Sequence, residues 1–251
     1  MKRFNLHLFI TFSLAPLLLG FGTIAWTTIT QAEYTVAMDK MNEFYTVNDH
    51  YSVRISYSSF RGHESEVPYE TSNGIYICDK NKYYSQLLGT RTIQNEKIKI
   101  VIDSLHKSIT VANPEENESG NEMKKINYEN SKQYITAYKT APIANGKLYR
   151  IECNPTPSYS AYVLDLSNDG FLRELIVYYK NEYPIDPTNA TSAKAKAKLK
   201  ISYSGFDSKT AFDPARVFST AKYITETSGK LTLTKAYSSY RLFDNRIPNK
   251  K

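Results

Sequence analysis

A single antiparallel α+β domain is the fold class that this sequence predicts, and three observations predict it. Apolar and polar residues alternate through one short run after another, the period of a half-buried strand. Clusters of Asn, Asp, Gly and Pro separate those runs, as turns do. The chain also holds 21 tyrosines against one tryptophan. Tyrosine suits a sheet that is wet on one side, because its ring is apolar and its tip is not.

In chain order, Lys2 and Arg3 lead into a mostly apolar stretch without formal charge from Leu6 to Trp26, and Thr30-Gln31-Ala32 precedes Glu33. This reads as a signal peptide over 1–32, cut after Ala32. The competing reading is an uncleaved anchor: about 20 apolar residues suffice to span a bilayer, and the two cations would hold its start in the cytoplasm. Pro16, Gly20 and Gly22 interrupt the stretch and favour cleavage. On either reading, residues 33–251 form one β-rich domain outside the cytoplasm. It is free in the periplasm if the segment is cut, and anchored to the inner membrane facing the periplasm if not. No cysteine stands near the junction to take a lipid.

Val36/Ala37, Met41 and Phe44/Tyr45 recur near helical spacing, so 34–47 is predicted as a helix. Tyr51, Val53, Ile55 and Tyr57 then line one face of a strand, with Ser52, Arg54, Ser56 and Ser58 on the other. A polar connection over 61–73 precedes a hairpin of 74–78 and 82–88 across Asp79-Lys80-Asn81, and 97–103 with 107–112 make a second. Residues 113–122 read as a solvated acidic loop and 128–139 as a second helix. Strands follow at 147–153, 160–166 and 172–180, the last two joined through Asn168-Asp169-Gly170. After Pro184 and Pro187 come strands at 193–203, 221–225, 230–236 and 240–244, with a short helix at 214–218.

Two local patterns stand out. Ile55-Ser-Tyr-Ser-Ser-Phe60 recurs as Ile201-Ser-Tyr-Ser-Gly-Phe206, which one short match in a Ser/Tyr-rich chain leaves as chance. Strict alternation over 193–200 places Lys194, Lys196, Lys198 and Lys200 on one strand face, read as solvated or as protecting an edge.

The formal charge of +7 is spread along the chain, with 23% charged residues, which argues against a dedicated nucleic-acid groove. Cys78 and Cys153 both lie in strand-like runs; a disulfide and two separately buried thiols are equally open. With only those cysteines and His50, His63 and His106 beyond the leading segment, no metal site and no cofactor are expected. No Gly-rich phosphate loop, Gly-x-Ser-x-Gly elbow or His-Glu-x-x-His occurs. Asp103, Ser104 and His106 are close in sequence, but a turn explains them better than a triad with an oxyanion hole. The chain is expected not to be an enzyme.

Residues 74–114 run Gly-Ile-Tyr-Ile-Cys-Asp-Lys-Asn-Lys-Tyr-Tyr and later Lys-Ile-Lys-Ile-Val-Ile-Asp-Ser-Leu-His-Lys-Ser-Ile-Thr-Val-Ala-Asn-Pro. This segment resembles the periplasmic lipoprotein-carrier family, LolA and its relatives. Asp103, Lys107, Val111, Asn113 and Pro114 stand where that family's pattern expects them. The resemblance departs from the pattern at the first hairpin, where a basic Arg-Pro is replaced by Asp79-Lys80-Asn81, and at Asp103-Ser104, where Asp-Gly is usual. It implies a strongly curved antiparallel sheet, an unclosed half-barrel, covering two or three short helices around an apolar cavity for acyl chains. The lining it implies is Val53, Ile55, Tyr57, Ile75, Ile77, Tyr84, Ile100, Ile102 and Val111 from the sheet and Met38, Met41 and Phe44 from the helix. The function so implied is a non-enzymatic carrier of lipoproteins or other acylated ligands, with lipidated protein or lipid acyl chains as partners. The alternative is an envelope module that binds inner- or outer-membrane proteins and carries no lipid.

Overall fold

A computed structural model of the protein describes residues 24–115, 132–154, 158–185 and 191–246. The leading apolar run up to residue 23, most of the acidic loop, residues 128–131 of the second expected helix and Pro187 lie outside the described residues.

The elements are β1 (Thr27–Ile29), α1 (Gln31–Val47), β2 (His50–Arg61), β3 (Glu70–Asp79), β4 (Lys82–Leu87), β5 (Thr90–Gln94), β6 (Lys99–Asp103) and β7 (Ser108–Ala112). Then follow β8 (Ile135–Ile143), β9 (Gly146–Cys153), β10 (Tyr159–Ser167), β11 (Leu172–Pro184), β12 (Lys194–Asp207), α2 (Pro214–Val217), β13 (Ile224–Thr227), β14 (Lys230–Leu233) and β15 (Arg241–Asp244). Thirteen strands make one sheet in the order β1-β8-β9-β10-β11-β12-β2-β3-β4-β5-β6-β7-β15, and β13 pairs with β14 in a small ribbon. The large sheet is curved and does not close, so β1 and β15 are its two edges. Its pairings are antiparallel except β15 on β7, which is parallel. No helix among the described residues is long and apolar enough to cross a membrane.

Strands and hairpins fall close to the predicted places because alternation and turn residues act locally. Asp79 pairs with Lys82 across a two-residue turn, and Asp103 pairs with Ser108. Helix α1 begins at Thr30, whose hydroxyl accepts from the Glu33 N–H at 3.2 Å while the Glu33 carboxylate accepts from the Thr30 N–H at 2.7 Å.

The second expected helix is corrected. Lys132–Tyr134 is one turn of 3-10 helix, and 135–139 belong to strand β8. β-Branched and aromatic residues there pair along the whole of β9, from Ile135 opposite Cys153 to Ile143 opposite Gly146. The expected strand at 221–225 starts only at Ile224, after a turn in which the Tyr223 N–H donates to the Thr220 carbonyl. β1 and β5 are additional to the predicted elements; each is short and depends on its neighbours.

The sheet carries apolar cores on both of its faces. On one, Tyr51 and Val53 stand beside Cys78, Tyr76 and Tyr83, and Tyr34, Ala37, Met41 and Tyr45 of α1 cover them. On the other, Ile77, Tyr84, Ile93, Ile100 and Val111 form one cross-strand row and Ile102 meets Ile109. Phe218, Tyr223, Ile224 and Leu231 of the C-terminal segment cover that row. The two faces follow from the period of two: Ile77 and Cys78 are neighbours in sequence and point apart.

The two Ile-Ser-Tyr-Ser copies are partners. Ile55 pairs with Tyr203, Ser56 with Ser202 and Tyr57 with Ile201, so the similar segments face each other antiparallel on β2 and β12. Cys78 and Cys153 are both buried thiols. Four strands stand between β3 and β9 in the sheet order, and no disulfide joins the two thiols in this structure.

Candidate apolar-ligand groove

Helix α1 covers one end of its face of the sheet and leaves the other end open. Phe44 and Tyr45 near its C-terminus pack on Phe171, Phe206 and Tyr51, at the end where β2 starts and β12 finishes. Beneath the C-terminal half of the helix the rings pack on one another, Tyr51 on Phe206 at 5.0 Å and Tyr76 on Tyr83 at 5.9 Å.

At the opposite end of the same strands lies a groove of about 500 Å³, inside the range of about 300–1,000 Å³ usual for small-ligand sites. Tyr57, Ala197 and Leu199 form its floor, and Tyr69, Tyr179 and Tyr183 its walls. Tyr57 shares a face with Tyr51 and Val53 because β2 pairs with β3 without a register break. The groove therefore prolongs the α1-side core beyond the helix. Val67, Tyr69, Tyr183 and Ile185 are exposed on the two segments that flank its mouth. Solvated apolar side chains gathered at one place mark a surface that meets apolar material.

Arg61 joins the two rims. Its guanidinium lies 4.3 Å from the centre of the Tyr69 ring, and its Nη1 donates to the Ile185 carbonyl. His63 Nε2 donates to the Tyr179 carbonyl at 2.9 Å on the adjoining loop. Nearby, burial pushes the Tyr179 hydroxyl above its ordinary pKa, so the wall stays neutral.

The structure separates the residues expected to line one cavity. Met41 and Val53 are buried under α1, with Met38, Phe44 and Ile55 packed against them. Tyr57 lines the groove. Ile75, Ile77, Tyr84, Ile100, Ile102 and Val111 belong to the opposite face. Ile100, Ile102 and Val111 are fully buried there, while Ile77 and Tyr84 border a second concavity under the C-terminal segment. Sequence reasoning missed Tyr69, Tyr179, Tyr183, Ala197 and Leu199. A signal was present, since the alternation that sets four lysines on one face of β12 sets Ala195, Ala197 and Leu199 on the other.

Two of the four lysines are tied into the fold, while Lys194 and Lys196 are exposed. Lys198 is buried over the Phe60 ring at 4.7 Å, and Lys200 pairs with Glu174. Asp103 and His106 do meet, at 2.7 Å, on an exposed turn whose His106 N–H also donates to Asp103 at 2.9 Å. Both hydrogen bonds hold the Asp103 carboxyl below its usual range. This is turn chemistry. Among the described residues no group of histidine, cysteine and carboxylate side chains is arranged to hold a metal ion.

No protein-family model matches the chain, and no curated protein sequence matches it. Among solved structures it is similar to a LolA superfamily protein from Nitrosomonas europaea, with 10% identity and a TM-score of 0.33 over 74% of this chain and 97% of that one. It is also similar to the lipoprotein LppX from Mycobacterium tuberculosis, with 8% identity and a TM-score of 0.35 over 73% of this chain and 100% of that one. A third similarity is to the MucA/MucB complex of Pseudomonas aeruginosa, with 8% identity and a TM-score of 0.40 over 79% of this chain and 63% of that one.

Proposed function

We propose that this domain is a non-enzymatic binder of apolar chains, the acyl groups of lipids or of lipid-modified proteins, acting on the periplasmic side of the envelope. One observation carries the reading: the α1-side core continues into an open groove of about 500 Å³ floored by Tyr57, Ala197 and Leu199. Burying apolar surface gains about 25 cal/mol per Å² without any catalytic group. The tyrosine walls add polar tips that can stay wet while a chain lies between them.

Native mass spectrometry of protein released gently from membranes tests this. Acyl-bearing adducts are expected, and Ala197→Trp, which fills the floor, removes them while the melting temperature stays within a few degrees. A clean apo mass for the parent protein overturns the proposal. The second reading, a protein-binding envelope module, draws on the two open sheet edges at β1 and β15, where a partner strand can add. In-cell crosslinking that yields a stable protein partner and no lipid would favour it.

A further inference from the structure

The C-terminal segment borders a second concavity, of about 810 Å³, on the face opposite the groove. Ile77, Ile93 and Phe212 give it apolar walls, and Phe212 is braced by His50, stacked at 4.3 Å. Its polar side is cationic: Arg91, Arg216 and Lys222 all border it.

Arg91 is held in an unusual way. Its Nε donates to Tyr84 Oη at 3.0 Å, its Nη1 to Tyr223 Oη at 2.8 Å and its Nη2 to Gln86 Oε1 at 3.2 Å. All three acceptors are neutral, and among the described residues no carboxylate pairs with it. Lys222 comes to the same ring: its Nζ is 5.9 Å from the centre of Tyr223, and Arg91 Cζ is 6.0 Å from it. The one carboxylate on the lining is Asp213. It already accepts from the backbone N–H groups of Ala215 at 3.0 Å and Arg216 at 3.4 Å. The site thus sets three cations against one carboxylate beside an apolar wall, an excess of positive charge. A half-buried guanidinium oriented by neutral acceptors keeps its remaining N–H groups for an anion, and such charge-assisted bonds are the stronger kind.

We propose that this concavity binds an anionic amphiphile, a carboxylate or phosphate head on an apolar body, with the head at Arg91 and Lys222 and the body against Ile77, Ile93 and Phe212. It is independent of the groove on the other face. Isothermal titration calorimetry on the full chain carrying Ala197→Trp tests it, since that background closes the first groove. The ligands are dodecyl phosphate, laurate, neutral dodecyl maltoside and inorganic phosphate.

At least one dodecyl anion is expected to bind, and whichever of phosphate or carboxylate binds tighter identifies the head. Lys222→Met with Arg216→Met, both at exposed positions, weakens that binding roughly tenfold, and added Arg91→Met weakens it further. Maltoside or inorganic phosphate binding as tightly as the anion overturns the proposal. So does unchanged affinity in the Lys222/Arg216 variant, whose fold is checked by circular dichroism. Loss of acyl adducts at the first groove leaves this outcome untouched, so the two proposals fail separately.

Discussion

Among single residues, the start of α1 shows how little chemistry is needed to place an element. Thr30 and Glu33 satisfy each other's backbone N–H groups, which helix geometry would otherwise leave open. Thr30→Ala is therefore expected to cost about 1 kcal/mol in urea denaturation. The Thr30 backbone N–H, and then its hydroxyl, hold the Glu33 carboxyl below its ordinary value of 4.5. A depressed carboxylate stabilises the fold above its unfolded pKa, and that contribution is lost as pH falls through the folded value. Glu33→Gln should thus be less stable than the parent at pH 7, with the gap closing as pH falls below about 4. A gap that persists at pH 2 would refute this. Gly170 is a different case, with φ at +100° and a would-be Cβ 2.6 Å from the Lys40 carbonyl of α1. Gly170→Ala meets both strain and collision, and a loss of roughly 1–3 kcal/mol is expected by thermal melting.

Among the elements, β1 and α1 are joined through Thr30, and Ile29 packs against the α1-side core. Thr27, Thr28 and Ile29 pair with Thr140, Lys139 and Tyr138 of β8. A cut after Ala32 would remove that strand and the cap and start the chain inside the first turn of α1. Intact-mass measurement of folded protein from cells is expected to find Thr27 retained; a folded product beginning at Glu33 would contradict this. The strands of the other face bear on stability. Ile102 is 1% exposed in the second core, and Ile102→Ala should cost roughly 2–5 kcal/mol. Tyr57→Ala, in the floor of the groove, should cost less and reduce acyl retention more.

Across the whole molecule, one sheet separates two covering segments, and the groove and the cationic concavity lie on opposite faces of it. Helix α1 packs on one face and leaves the tyrosine-walled groove beyond it. The segment from Phe212 to Leu242 packs on β5, β6 and β7 of the other and leaves the cationic concavity. An acyl chain and an anionic head can then be bound on opposite sides of the same sheet. Simultaneous titration should show additive binding, with neither ligand displacing the other; competition would mean that the two concavities are not independent.

Much of the strand pattern is legible in the order of residues. Tyr51, Val53 and Ile55 alternate with Ser52 and Arg54, and the Asp79–Lys82 and Asn168–Gly170 turns use residues whose local preferences suffice. β8 is not legible in this way: Ile135–Lys139 carries no decisive period, and pairing with β9 on one side and β1 on the other settles it. The candidate site is legible only in part. Tyr57 can be named from its strand, but its partners Tyr69, Tyr179 and Tyr183 come from segments far apart in the chain. The residues alone carry an export-type leader reading, an alternating β-rich domain and the relative face of each side chain within a strand. Three-dimensional packing was needed to put Val53 and Ile77 on different faces and to give each face its own cover. A period of two tells which side chains share a side, and nothing in it tells which distant segment will cover that side.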